Sequence, residues 1–326
     1  MAMPPLGFIE PKDRTTEQHD AHAAALSKML AFPLSWVTLA LGQRVILTRA
    51  LDDPDVIADM GMKFPGFRQL SGSCIGVTEG ECTALLSALQ RKFADNPTKA
   101  FVPWWPYAYG RTRFREGDRG QGEGAVSSVM GTTLEKDGTF ARSEAPELPE
   151  WDTSDGLALP RSVEMQWSDG GSALVTKYIP LGQTHRFGAR TPVSSAQDVL
   201  TLIANGYPVA NGCAYYIGSG SIHGSGDLAY VRGKYDGRGG HETSWIGAWN
   251  HPNDGLLFLY WNHWQASTYP PGPMGEPRCS VWVPESEVTR MLNAGWDGIA
   301  HGEAFGLSHV DAFPAQVDKI LDWSTI

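Results

Sequence analysis

In this chain of 326 residues, a predicted helix follows Cys74, and the most strongly predicted strands lie in the C-terminal half. Directly after Cys74, apolar residues recur at helical spacing, which predicts a helix that packs one face into a core. These residues are Cys82, Leu85, Leu86, Leu89 and Phe93. Four strongly apolar segments much later in the chain predict strands, at 209–217, 243–249, 256–261 and 280–283. A helical region followed by a strand region indicates an α+β fold with two lobes.

Charge and cysteine usage narrow the function classes. A formal net charge of -10 gives no attraction for a phosphate backbone or an anionic membrane, so neither is an expected partner. The N-terminus lacks the pattern of a signal peptide, and the most apolar stretch, 29–42, is too short to span a bilayer. The four cysteines show neither C-x-x-C spacing nor the density of a disulfide scaffold. We therefore expect a soluble, cytoplasmic protein, or one in a virion assembled there, without a metal or cofactor.

Three residues far apart in the sequence have the chemical types that a thiol hydrolase needs. Cys74 supplies a sulfur nucleophile, which is mostly protonated at neutral pH unless a base takes its proton. His241 is a suitable base, and Asn262, which follows it in the chain, offers an amide oxygen that can hold the imidazole in one tautomer. The alternative for each residue taken singly is structural, since cysteine usually packs as a small hydrophobe and asparagine often makes turns.

The predicted position of Cys74 favours the reactive interpretation. The apolar stripe that follows places this cysteine at the N-terminus of a helix. There the positive end of the helix macrodipole and the free backbone N–H groups stabilise a thiolate.

The sequence around Cys74 also resembles the nucleophile motif of the papain-like cysteine peptidases. In that family a glycine, a small residue and the catalytic cysteine precede a helix, as Gly72-Ser73-Cys74 does here. The family places a glutamine a few residues upstream as an oxyanion donor, and Gln69 is similar to it. The resemblance implies that Cys74 is the nucleophile and that Gln69 helps to stabilise the oxyanion.

Two later motifs extend the resemblance. His241 leads an apolar segment that reaches Gly247, as the catalytic histidine of the family does. The segment Trp261-Asn262-His263-Trp264 is similar to the family's strand that ends in Asn-Ser-Trp. The resemblance implies that Asn262 orients His241 and that the Trp264 indole shields their hydrogen bond from water.

Together these motifs imply a two-lobed papain-like fold. The Cys74 helix would lead a helical lobe, and a β-barrel-like lobe would carry His241 and Asn262. The resemblance places this domain at residues 61–290, between an N-terminal extension at 1–60 and a C-terminal tail at 291–326. The implied function is that of a cysteine peptidase or related amidase, which would attack a peptide or protein substrate through its thiolate and form an acyl-enzyme.

Departures from the family pattern support a second hypothesis. Ile75 follows the cysteine where the family has tryptophan or tyrosine, and His263 stands where it has a small residue. Since one fold can serve unrelated functions, the chain could instead be a catalytically weak or inactive structural protein of a virion or other assembly. Its partners would then bind through the extensions at 1–60 and 291–326.

Two further segments are open to more than one interpretation. The glycine-rich run 218–226 predicts a flexible surface loop, but the family's segment before the histidine borders the cleft, which makes His223 and Asp227 candidate substrate neighbours. The aromatic run 101–109 is interleaved with prolines and is typical of packing at the surface of a lobe, with a ligand-stacking platform as the alternative.

Overall fold

The computed structural model describes residues 15–18, 20–21, 37–94, 97–118, 123–188, 190–264, 269–294 and 297–301. In chain order the helices are α1 (Pro54–Met60), α2 (Cys74–Phe93), α3 (Trp105–Arg115), α4 (Ser127–Lys136), α5 (Arg161–Trp167), α6 (Ala173–Thr176), α7 (Ile179–Gly182), α8 (Ala196–Ala204) and α9 (Glu285–Asn293). The strands are β1 (Arg44–Ile46), β2 (Arg190–Pro192), β3 (Val209–His223), β4 (Tyr230–His251), β5 (Gly255–Trp261), β6 (Ser280–Pro284) and β7 (Asp297–His301). None of the described helices is long and apolar enough to cross a bilayer.

The strands form one sheet in the order β2-β7-β3-β4-β5-β6. Strand β1 lies outside this order and pairs with β4. Neighbouring strands are antiparallel, apart from one parallel pairing between β4 and β6, at Arg232 and Trp282. The sheet thus curls back on itself, although β2 and β6, its outer described strands, do not pair to close a barrel. The predicted α+β fold, with a helical lobe and a barrel-like sheet lobe, is confirmed.

Helix α2 begins at Cys74, as the apolar spacing predicts, but it is surrounded by protein instead of packing on one face. Every residue from Cys74 to Gln90 is buried. Gly76 and Gly80, one turn apart, allow α3 to approach closely, because a Cβ atom on either would lie within 2.8 Å of Tyr109 or Trp105. The single-face prediction was wrong because α2 is the central helix, with neighbours on all sides.

The aromatic run that precedes and opens α3 is core, not surface. Trp104, Trp105, Tyr107 and Tyr109 are each at most 2 % exposed. Pro106 is compatible with this helix because it lies in the first turn, where a missing N–H breaks no helical hydrogen bond. Neither surface packing nor a stacking platform describes this segment.

The glycine-rich run 218–226 is largely strand. Strand β3 continues through it to His223, which pairs with Tyr230 of β4, so β3 and β4 form a long hairpin. The predicted flexible loop is therefore confined to the tip of this hairpin. Glycine and serine weaken strand propensity, but pairing with β4 outweighs that local preference.

Parts of both predicted extensions pack on the domain. Strand β1 lies within residues 1–60 and pairs with the β4 segment that follows His241. Strand β7 lies within 291–326 and pairs with β2 and β3. Residues 1–14 and 302–326, which make up the remaining ends of these predicted segments, lie outside the described residues.

Candidate active site

The proposed nucleophile lies at the junction of the two lobes. Cys74 is the first residue of α2, with Ser73 at the N-cap. It is close enough to Tyr109 of α3 and to Tyr260 of β5 for their charges to interact. The backbone N–H groups and macrodipole at this end of a 20-residue helix favour negative charge there.

His241 and Asn262, which are 21 positions apart in sequence, are joined by a hydrogen bond. His241 lies in β4, where its backbone is opposite Cys213 of β3. Asn262 directly follows the last residue of β5, and its backbone N–H donates to the Cys279 carbonyl at 2.9 Å. His241 Nε2 lies 3.0 Å from Asn262 Oδ1. Adjacent antiparallel strands thus bring the two side chains together, as the sequence motifs imply.

The orientation of the Asn262 amide is fixed from both ends. Its Oδ1 also accepts the backbone N–H of His263 at 2.8 Å. Its Nδ2 donates to the Tyr269 hydroxyl at 2.8 Å, and that hydroxyl donates to the Ile217 carbonyl at 2.9 Å. Because Oδ1 can only accept, His241 Nε2 must carry a hydrogen, and Nδ1 of the neutral ring keeps its lone pair.

Aromatic rings enclose this hydrogen bond. The Trp264 and His241 rings stack with centroids 5.1 Å apart and an interplanar angle of 25°. Tyr216 meets Trp264 edge-on at 5.3 Å. Trp264 is only 2 % exposed, so this side of the imidazole is shielded from water.

Burial makes His241 a neutral base. It is 1 % exposed, and desolvation lowers its pKa to about 4, an effect that the hydrogen bond to Asn262 offsets only in part. Nδ1 makes no hydrogen bond to a described residue. The ring is therefore unprotonated at neutral pH and has a nitrogen available to accept a proton.

Gln69 is buried next to this group. Its backbone N–H donates to the His263 carbonyl at 2.9 Å, which ties the loop before α2 to the turn after Asn262. Its side-chain Nε2 donates to the Ser71 carbonyl at 2.5 Å. The amide would have to exchange this bond for an oxyanion in order to take the role that the resemblance implies.

Two carboxylates hold the loop before Cys74, and no sequence motif marks either of them. Glu164 of α5 accepts hydrogen bonds from the Ser71 hydroxyl and, at 3.2 Å, from the Ser73 hydroxyl. Burial raises the pKa of Glu164 to about 7, although the serine hydrogen bonds lower it. The Gly72 N–H donates to Glu123 at 2.5 Å. An ionised Glu164 would repel a thiolate at Cys74, so the protonation state of Glu164 affects how readily Cys74 ionises.

The site is closed in this structure. Cys74 and Asn262 are fully buried, His241 is 1 % exposed and Gln69 is 2 % exposed. A substrate can reach Cys74 only after the groups that cover it have moved.

The candidate cleft residues lie elsewhere in the sheet. His223 ends β3, ten positions beyond the residue that pairs with His241, and its Nε2 lies 3.5 Å from Asp254. Asp227 is in the short 3-10 turn between β3 and β4. The structure does not bring either beside His241. Among the described residues, no cluster of three or more histidine, cysteine or acidic side chains could hold a metal ion.

The helix that Cys74 begins and the curled sheet that carries His241 form a papain-like fold, which superposition with the solved structure of xylellain supports. Xylellain, a cysteine protease from Xylella fastidiosa, superposes with a TM-score of 0.57 over 92 % of this chain and 97 % of its own, at 17 % identity. Digestive procathepsin L 3 from the midgut of Tenebrio molitor larvae gives a TM-score of 0.47 at 10 % identity, over 92 % of this chain and 83 % of its own.

Comparison of the sequence with known families and proteins finds no match, in contrast to the structural comparison. The chain therefore has a divergent papain-like fold, whose similarity to known proteins lies in structure more than in sequence.

Proposed function

We propose that this protein is a cysteine peptidase or related amidase that acts on a peptide or protein substrate. The observation that carries the proposal is the hydrogen bond from His241 Nε2 to Asn262 Oδ1, which leaves Nδ1 as the basic nitrogen. A neutral base with a fixed tautomer, together with a cysteine at a helix N-terminus, is what thiol acyl transfer requires.

In the proposed reaction, His241 Nδ1 takes the proton of Cys74 and the thiolate attacks the substrate carbonyl carbon. The backbone N–H of Cys74 and the Gln69 amide would donate to the resulting oxyanion. The protonated His241 would then give its proton to the leaving amine, which leaves an acyl-enzyme on Cys74. Attack by water on this thioester would release the acid and restore the thiol.

The fully buried state of Cys74 and His241 favours one alternative, a papain-like scaffold that does not turn over substrate. Such a protein would use its surfaces in an assembly, and its Cys74 would behave as the other buried cysteines do. The same burial is compatible with a peptidase whose site opens before substrate binds. Activity assays separate these two hypotheses.

The test is hydrolysis of a fluorogenic peptide library by the wild-type protein and two matched variants. Cys74→Ala should abolish hydrolysis, whereas Cys82→Ala, a change two turns along the same buried helix, should leave it within about threefold, as expected for a change that only trims core packing. Equal activity in the wild type and in Cys74→Ala would sink the proposal.

A further inference from the structure

A second acid and base face each other beside the proposed catalytic histidine. Glu81 lies on α2, two turns after Cys74, and His263 directly follows Asn262. Both side chains are fully buried, and Glu81 Oε2 lies 3.8 Å from His263 Nδ1. This distance is too long for a hydrogen bond, and neither atom makes a hydrogen bond among the described residues. Buried polar atoms are rarely left unsatisfied, so this juxtaposition requires a physical explanation.

The pair lies where three parts of the site meet. Glu81 Oε1 accepts the backbone N–H of Phe67 at 3.1 Å, which anchors the loop that carries Gln69 to the nucleophile helix. The His263 carbonyl accepts the backbone N–H of Gln69 at 2.9 Å. The His263 ring lies 5.1 Å from the His241 ring, centroid to centroid. Glu81 and His263 therefore connect α2, the Gln69 loop and the turn that presents Asn262.

Arg278, in the turn that precedes β6, contacts the same junction. Its guanidinium donates to the Phe67 carbonyl at 3.2 Å and to the Trp264 carbonyl at 2.7 Å. Its charge is directed to backbone oxygens and to Asp155, at 3.0 Å, while Glu81 has no ion pair with it among the described contacts. Phe67 is consequently held through both its N–H and its C=O.

Burial indicates the protonation state of the pair. An isolated charge in a dry interior is costly, so a buried carboxyl and a buried imidazole at this distance are most stable with one proton between them and no net charge on either. Desolvation raises the pKa of Glu81 well above its usual range and lowers that of His263, in agreement with a neutral acid and a neutral imidazole. The titratable or charged groups that face the pair are His241, Arg278, Cys82 and Cys279.

We propose that Glu81, as a neutral carboxylic acid, and His263, as a neutral imidazole, are a positioning pair that holds the His241–Asn262 couple and the Gln69 loop in register with Cys74. The proposal rests on the proposed peptidase function. Neither residue touches substrate; each acts through the elements that it joins.

The test uses substitutions that separate hydrogen bonding from charge. Glu81→Gln keeps an oxygen for the Phe67 N–H and places an NH2 group opposite His263 Nδ1, as a protonated carboxyl does. Glu81→Leu removes both contacts, and His263→Leu removes the imidazole opposite Glu81. Glu79→Leu, which removes a buried carboxyl two residues away on the same helix, is the matched control.

The leucine substitutions are expected to change kcat and to leave KM nearly unchanged. Glu81→Gln should keep kcat within about threefold of wild type with the same acid limb in its pH profile, because it mimics a neutral acid. Glu81→Leu and His263→Leu should lower kcat by about 10-fold or more with little change in KM, since misplacing reacting groups by ~1 Å can cost on the order of 100-fold. The Glu79→Leu control should show no such loss of kcat. Loss of kcat in Glu81→Gln as severe as in Glu81→Leu would overturn the neutral pair.

Nitrogen NMR of the histidine side chains gives a readout that needs no activity and no leucine variant that folds. His263 should be neutral in the wild type and in Glu81→Gln between about pH 5 and pH 8, a range in which an exposed histidine titrates. A cationic His263 in the wild type would contradict the proposal. If the wild type hydrolyses nothing and Cys74 shows no selective reactivity, the peptidase function fails, while the NMR result still decides the state of the pair.

Discussion

His241 Nε2 donates a hydrogen bond to Asn262 Oδ1 across 3.0 Å, and this bond fixes which imidazole nitrogen can act as the base. Replacing Asn262 by alanine removes that constraint and frees the ring to rotate and change tautomer. We expect Asn262→Ala to lower kcat by about 10- to 100-fold with little change in KM, because the reacting groups are misplaced while substrate binding is kept. Steady-state kinetics on the best library peptide provide the measurement.

The Tyr269 hydroxyl orients the other end of the same amide. Tyr269→Phe should lower kcat by about fivefold, since one net hydrogen bond is worth about 1 kcal/mol. Tyr178→Phe is the control, because the Tyr178 hydroxyl bonds to Glu147 at 2.7 Å instead of contacting the site. Identical kcat values for the two tyrosine variants would argue against an orienting role for Tyr269.

Gln69 is expected to reach the oxyanion only after releasing the Ser71 carbonyl. If it donates in the transition state, Gln69→Ala should lower kcat by about 100- to 1000-fold, the usual loss for one oxyanion donor. The backbone bond from Gln69 to His263 survives this substitution, so the loop should stay in place. A loss smaller than about threefold would assign Gln69 a structural role only, since an oxyanion donor contributes far more.

The pKa of His241, near 4 in the folded protein against an ordinary 6.5, makes stability depend on pH. The unfolded chain binds more protons between these values, so the free energy of unfolding that His241 contributes is present above about pH 6.5 and is lost as the pH falls towards 4. The contribution is on the order of 3 kcal/mol. His241→Gln should remove it. The measurement is denaturant unfolding of both proteins across this pH range, and parallel curves would contradict the prediction.

Glu164 makes stability depend on pH in the opposite direction to His241. Its pKa rises from an ordinary 4.5 to about 7 on folding, so its contribution to stability is full below pH 4.5 and is lost as the pH rises through 7. Glu164→Gln keeps an acceptor for the serine hydroxyls but cannot ionise. The variant should therefore gain stability relative to wild type as the pH rises from 5 to 8. A constant difference between the two proteins over that range would show that Glu164 ionises normally.

Local sequence patterns predicted the helix at Cys74 and the four strand segments, because both depend on short-range periodicity that is visible in sequence. The closeness of His241 to Asn262 was implied by the resemblance of their motifs to those of the papain-like peptidases.

The features that sequence could not reveal depend on long-range burial. Glutamate is usually exposed, so the sequence alone favours surface positions for Glu81 and Glu164. Only the packed structure shows that both are buried. Tyr269 lies seven residues after Asn262, outside the motif that marked the site. The prolines among Trp104 to Tyr109 led to a prediction of packing at the surface of a lobe, although Pro106 in fact lies in the first turn of a buried helix.

The reactivity of the four cysteines tests the central claim most directly. Cys74, Cys82, Cys213 and Cys279 are all buried, so a difference in alkylation among them reports chemistry more than exposure. Burial raises the pKa of Cys82 well above its usual range and that of Cys279 to about 12, which makes both slow to react. Incubation with an epoxide thiol inhibitor at neutral pH, followed by mass spectrometry of the peptides, should label Cys74 first and at least about 10-fold faster than the others, because only the thiolate reacts. His241→Ala should abolish that preference. Labelling of Cys74 no faster than Cys82 or Cys213, in a wild-type protein that remains folded, would contradict the assignment of Cys74 as an activated nucleophile.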